Sequence, residues 1–446
     1  MFPITETSPI RFATFLPQRV DVVVIGGGVI GVMTASFLAE KGLLVLVLEK
    51  GRIAGEQSGR NWGWIRQQGR DPAELPIMVE SLAIWKSLAA QTGDALGFRQ
   101  SGVVYLAKTA REMAGFEAWC GHARAHQLDT RLLTGADARA MLGNAAAPWV
   151  GALYTASDAR AEPWVAVPAL AARAEGLGVM LREACAVRAL DIAAGKVAGV
   201  ITEAGRVDCD HVVLAAGAWS RLFLGRHGIA LPQLSVLASV AATEPMPEIF
   251  AGAAADDDFA FRRRADGGYT IAPGGSQHDF FIGPDAVRSA RSFWPVLRQD
   301  IGATTLRLAA PLGFPDAWGT RRHWSEDAAS PFEATRILNP APNLRTLGRV
   351  QEAFAKAYPG LARPKLKSAW AGMIDTMPDL VPVVDRAPLA GLTIATGLSG
   401  HGFGIGPGIG RVVADLVCGN APGHDLSRFR LSRFSDGTRI APGPSL

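Results

Sequence analysis

The chain has 446 residues, 48% hydrophobic and 19% charged, with a formal net charge of +4 and a pI near 9.0. That length buries one large core or two intimate domains, and the composition excludes a disordered chain. The densest basic run, Arg262-Arg263-Arg264, has no interleaved aromatics, so no nucleic-acid partner is expected.

Residues 1–20, broken by Pro3, Pro9 and Pro17, are expected to form neither a signal peptide nor a membrane span, and no spanning apolar stretch occurs elsewhere. Asp21–Ile25 is a short β-branched run, as a strand buried on both faces would be. Gly26-Gly27-Gly28-Val29-Ile30-Gly31 follows with G-x-G-x-x-G spacing. The first glycine permits a tight turn, the second admits a pyrophosphate against backbone N–H groups, and the third lets helix and strand pack closely. A helix from Val29 to Lys41 ends at Gly42, and a second apolar run, Leu43–Leu48, delivers Glu49 eighteen residues after Gly31. Strand, turn, helix, strand and terminal acid together specify a dinucleotide site, with Glu49 accepting ribose hydroxyls. Glu49 would repel a 2′-phosphate, so the site suits NAD or FAD.

Gly51–Trp64 mixes small, polar and aromatic residues without period and reads as a functional loop. Its Ser58, Arg60 and Asn61 are candidate donors to phosphate and ring oxygens, and Gly63 would allow close approach to a flat ring. Helices are expected at Pro76–Thr92, Arg111–Gln127 and Pro163–Glu175, with turn composition at Tyr154–Arg160. After strands at Val179–Arg182 and Ala186–Leu190 and a hairpin, His211–Ser220 reads as a buried strand ending in Ala216-Gly217, where a ligand can approach the backbone. Residues 231–345 break the α/β rhythm with short strands and Gly, Pro and Asp turns, then a helix at Ala286–Ile301. Another helix opens at Asn343–Phe354. The glycine run from Gly397 to Gly410 is expected to enter a helix at Ile409, giving a second helix N-terminus suited to an electron-rich flavin edge. Cys120, Cys185, Cys209 and Cys418 have no metal or C-x-x-C spacing, so no metal is expected and a reducing, cytoplasmic setting is the simplest reading.

These stretches, in this order, resemble the D-amino-acid-oxidase superfamily of flavoproteins over nearly the whole chain. Ile53–Arg60, Trp219–Phe223, Phe261-Arg262 through Pro273, and Ser330–Glu333 are similar to bacterial L-amino acid deaminases, while Ser399-Gly400-His401-Gly402-Phe403 looks more like the sarcosine oxidases. The resemblance implies an α/β (α+β overall) architecture: a Rossmann-like FAD-binding domain at 20–90, 160–230 and 346–425, and a mostly antiparallel substrate domain at 91–159 and 231–345. Residues 426–446 are expected to be a loosely packed tail. It implies hydride transfer from an amino acid or amine to FAD, with O₂ or an electron carrier as final acceptor. Lys50, Val187, Ala216, Gly217, Trp219, Gly372, Gly400, His401, Gly402, Phe403, Gly404 and Ile405 are implied cofactor contacts. Arg262 matches the arginine that holds a substrate carboxylate, a role its planar fork suits; a structural salt bridge is the alternative. His401 is a candidate to accept a proton or orient the amine. Two departures from the sarcosine oxidases stand out. No lysine lies near Tyr269-Thr270, and no cysteine lies around Trp370–Asp379, so the flavin is expected to be non-covalent. An N-methyl or cyclic imino acid substrate, or a non-enzymatic flavin-binding subunit, are the alternatives.

Overall fold

In the computed structural model, which describes residues 3–275, 278–299 and 304–443, the apolar runs Arg19–Ile25, Val45–Leu48 and Gly205–Leu214 lie side by side in one sheet. Val23, Val24, Leu46, Val47 and Val212 are fully buried, because helices cover one face and a cluster including Val197, Val200, Leu222, Phe223 and Phe332 covers the other. Met180–Arg182 and Leu392–Thr396 extend the parallel core on either side. Val187–Ala193 and Lys196–Thr202 add an antiparallel flap to the first half of Gly205–Leu214. This is the expected Rossmann-like unit. Its helices Val29–Glu40, Leu75–Thr92, Pro163–Gly176 and Gly402–Cys418 share a core that includes Met33, Trp85, Val167 and Ile409.

The second sheet has ten strands and is antiparallel except where Val103–Ala107 meets Ala253–Ala255 and Asp279–Phe281 meets Thr305–Arg307. Two elements expected in the FAD-binding part join this sheet. Leu366–Thr376, expected in the FAD-binding part, pairs along its length with Leu234–Thr243 in this sheet. The helix Leu344–Ala357 likewise buries Leu347, Val350 and Phe354 against Phe259, Phe261 and Tyr269. Residues 344–376 therefore pack with the second sheet, the helix by its apolar stripe and the strand by its pairing. The strands Thr130–Thr134, Gly151–Thr155 and Ala253–Ala255 were not expected; they are short, and Gly151–Thr155 and Ala253–Ala255 both pair with the distant Val103–Ala107.

The glycine run behaves differently from its expectation. The helix begins at Gly402, not Ile409. A Cβ at Gly406 would lie 2.9 Å from Val29, one at Gly408 2.6 Å from the Ile77 carbonyl, and one at Gly410 2.7 Å from Met33 Cβ. The glycines are there for close packing between helices, which outweighs their low helix propensity. The loop 51–64 contains a short helix, Gln57–Arg60, and a strand, Trp64–Ile65. The helix expected at Ala286–Ile301 is described as Pro284–Gln299, and Ile301 lies outside the described residues. Nor is the described tail loose: Phe429 is fully buried and Arg433 makes a buried ion pair with Asp379, Nε to Oδ2 at 2.8 Å. Residues 444–446 of that tail lie outside the described residues. Among the described residues no helix is long and apolar enough to cross a membrane, and no cluster of three metal-ligating side chains occurs.

Candidate active site

A cavity of about 1020 Å³ runs from the first glycine turn, between the two sheets, to the helix Ala110–Ala125. At its nucleotide end, Gly26 has φ +113°, and a Cβ there would lie 2.4 Å from the Ala215 carbonyl oxygen. A Cβ at Gly31 would lie 2.0 Å from the Gly26 carbonyl oxygen, so the third glycine is what lets the helix sit on the turn; Gly31 itself does not line the cavity. Gly28 does, beside Ser58, whose Oγ accepts from the Val29 N–H at 3.0 Å. Glu49 lines the same end and accepts the N–H groups of Gly27 at 2.8 Å and Gly51 at 2.7 Å. Burial pushes its carboxyl above the ordinary value. Ala216, Gly217 with φ +50°, Trp219, Val187 and Gly372 close the cavity walls with small or flat surfaces. This glycine-lined cradle, with an acid at one end and a helix N-terminus facing it, fits a dinucleotide such as FAD.

The implied contact Lys50 and the expected donors Arg60 and Asn61 are engaged with protein in this structure. Lys50 Nζ donates to Glu56 Oε1 and to the Thr335 and Arg336 carbonyls, and lies 4.3 Å from the Trp219 ring centroid. The Arg60 guanidinium holds the Gly55, Ala371 and Ile4 carbonyls and Asn339 Oδ1. Asn61 Nδ2 donates to the Gln57 and Ser58 carbonyls, and its Oδ1 accepts from Gly63 N–H. All three line the cavity, and in this structure their hydrogens brace the loops around it. Gly63 is off the wall. A Cβ there would meet the Ala161 carbonyl at 2.4 Å and Arg262 Nε at 3.0 Å, so its freedom serves packing.

Arg262 lies away from the cavity. It is fully buried and absent from the cavity wall. Its Nη1 and Nη2 clamp Glu162 at 2.9 and 3.0 Å, Nε donates to the Trp62 carbonyl at 2.5 Å, and Thr270 Oγ1 and the Arg263 carbonyl take the remaining hydrogens. No edge is left for a substrate carboxylate. Burial pushes the Glu162 carboxyl up, but Arg262, the Ala265 N–H and Arg160 outweigh it and hold it below its ordinary value. The salt-bridge alternative is the one the geometry supports.

At the far end Gly400, His401, Gly402 and Phe403 reach the cavity, whereas Gly404 and Ile405 do not. The Gly404 carbonyl accepts from Ser81 Oγ and Trp85 Nε1, and Ile405 is fully buried in the helix core. Facing His401 are two arginines not foreseen from the sequence. Arg66 lines the cavity over the Tyr105 ring, 5.3 Å from its centroid. Arg70 also lines it; its Nε donates to the Arg66 carbonyl, while Nη1 is buried without a partner. Burial, aided by the Arg66 charge, lowers its pKa to about 10, so it stays protonated at neutral pH. Trp64, Tyr105, Phe116, Trp119 and Phe280 make the surrounding wall apolar and aromatic. Asp375 also lines the cavity, accepting Gly397 N–H at 2.7 Å, with its carboxyl pushed up by burial. The sequence signal for Arg66 and Arg70 was only a polar turn after the aromatic loop.

The model of the FAD dependent oxidoreductase family, DAO, matches residues 21–416. The L-amino acid deaminase from Proteus myxofaciens, solved in complex with anthranilate, is 30% identical, with a TM-score of 0.90 over 97% of each chain. The L-amino acid deaminase from Proteus vulgaris is 28% identical, with a TM-score of 0.89 over 96% of this chain and 100% of that one. Sarcosine oxidase subunit beta from Rhizobium meliloti (strain 1021) is 26% identical over 94% of this chain and 89% of its own length.

Proposed function

The chain belongs to the DAO family of FAD-dependent oxidoreductases, and from that premise we propose that it oxidises the C–N bond of a free amino acid with a bulky apolar side chain. The observation that carries this reading is the pair Arg66 and Arg70, the latter with a buried unpartnered Nη1, beside the aromatic side chains of Trp64, Tyr105, Phe116 and Trp119 on the cavity wall. Bound FAD, held non-covalently by the Gly26–Gly31 turn, Glu49 and the Gly217 and Gly372 walls, supplies the two-electron acceptor for the hydride that leaves the substrate carbon. Arg66 and Arg70 hold the carboxylate, since a buried anion needs permanently charged donors. His401 accepts the proton of the substrate ammonium, leaving the nitrogen lone pair free as the C–H bond breaks. The aromatic wall excludes water and fixes the side chain. The imine product then takes up water and releases ammonia and a 2-oxo acid. Anthranilate, bound by the Proteus myxofaciens relative, is an aromatic ring bearing an amine and a carboxylate, which supports this substrate class.

O₂ or an electron carrier takes the electrons onward; peroxide formation against dye reduction separates the two. The free thiols Cys120, Cys185, Cys209 and Cys418 support a reducing, cytoplasmic setting. The likeness to a sarcosine oxidase subunit favours a second reading, an N-alkyl amino acid substrate. The test is anaerobic bleaching of the flavin band by L-, D- and N-alkyl amino acids and by amines lacking a carboxylate. Arg66→Ala is expected to weaken saturation by the active amino acid about 10- to 100-fold, the worth of a charged hydrogen bond. Bleaching by carboxylate-free amines alone would refute the reading.

A further inference from the structure

Two helix N-termini meet behind the cavity. Glu74 is the N-cap residue of Leu75–Thr92, and His401 is the N-cap residue of Gly402–Cys418, the helix packed against it. Glu74 is completely buried, and neither carboxylate oxygen has a hydrogen bond of regular geometry. Among the described residues the one basic side chain within ion-pair distance is His401, whose Nδ1 lies 3.3 Å from Glu74 Oε2. A buried carboxylate without donors is costly, and the positive end of its own helix favours the ionised form. An ionised carboxylate only accepts, so the proton between the two atoms belongs on Nδ1. Nε2 is then the nitrogen left for the cavity, which His401 lines.

We propose that Glu74 is a positioning residue for His401: by accepting the Nδ1–H, it makes Nε2 the proton acceptor for the substrate ammonium. The proton moves from the ammonium to Nε2, and the imidazolium so formed is stabilised by the Glu74 carboxylate until solvent removes the proton. This rests on the role given to His401 above. The charges facing the ring are Glu74 and, from the turn that precedes it, Arg70 and Arg66. Asp71 and Asp379, also on the cavity wall, are paired with Arg428 and Arg433. Burial and Arg70 together lower the His401 pKa and Glu74 raises it, leaving it below the ordinary value, as an acceptor working at neutral pH requires.

Nitrogen-15 NMR of histidine-labelled holoenzyme at pH 8, with His401→Gln identifying the signal among 8 histidines, reads the tautomer directly. The expected form carries its proton on Nδ1; a majority Nε2–H tautomer overturns the proposal whether or not any Glu74 variant folds. In Glu74→Gln the acid limb of the flavin-bleaching rate is expected to move down by about one pH unit or more, the effect of removing an opposite charge at this range. The rate at pH 8 is expected to fall about 10-fold or more as the tautomer is lost. Unchanged limb and tautomer in Glu74→Gln, with His401→Gln slow, overturn the role of Glu74 alone. A His401→Gln enzyme that bleaches at the wild-type rate overturns the role of His401, and with it this proposal.

Discussion

Arg262→Ala should separate an internal clamp from a substrate clamp. In the structure all five guanidinium hydrogens are engaged with protein, two of them on Glu162, and the residue has no exposed surface. Removing it leaves Glu162 buried, with only the Ala265 N–H at 2.9 Å and Arg160 at 3.4 Å as partners. Breaking such a pair from one side costs about 3–5 kcal/mol. The pH dependence follows from the sign of each shift. With Arg262 present, the Glu162 pKa lies below its ordinary value, so the pair's contribution is full above the unfolded pKa of about 4.3 and is lost as pH falls through the folded value. In the variant, burial without the guanidinium raises the Glu162 pKa, so stability is lost as pH rises above the unfolded value. The deficit should therefore be largest at pH 8 and shrink toward pH 4. Urea unfolding of the holoenzyme followed by circular dichroism at several pH values measures it, and Arg262→Met with Glu162→Met should recover most of the loss. Saturation of flavin bleaching by substrate should be unchanged in the folded variant. An Arg262→Ala enzyme of wild-type stability that no longer saturates with amino acids would refute the reasoning and return Arg262 to the substrate.

Gly31→Ala places a methyl group 2.0 Å from the Gly26 carbonyl oxygen, so the turn must open. Overpacking of this kind costs about 1–3 kcal/mol or more, and the protein is expected to purify with little flavin; the 450-nm region absorbance per protein, on the order of that of the wild type, would contradict this. Arg433→Ala leaves Asp379 buried on the cavity wall without its partners at 2.8 and 3.0 Å, and the holoenzyme should lose about 3–5 kcal/mol, read by unfolding, with residues 426–443 becoming sensitive to protease.

The nucleotide end of this protein was legible from residue order because its chemistry is local. Gly26, Gly28, Gly31 and Glu49 lie within one strand–turn–helix–strand unit, and their roles follow from φ, from the missing Cβ and from the end of a strand. The α/β rhythm up to residue 230 and the antiparallel composition after it were legible for the same reason: side-chain period reports which faces are buried. The substrate end was not. Whether Arg262 meets a ligand or Glu162 depends on a residue 100 positions away, and its sequence neighbours say nothing of that pairing. Arg66 and Arg70 face His401 across more than 300 positions, and Glu74 meets it because its helix docks closely against Gly408 of the helix that His401 caps. Arg60 and Asn61 have the right chemistry for phosphate, and in the folded chain backbone carbonyls take hydrogens of both. A side chain's donors and acceptors are set by its type, so the sequence alone determines what each can do. Which partner satisfies them is settled by whichever buried polar group the fold brings within about 3 Å, and only the tertiary structure decides that.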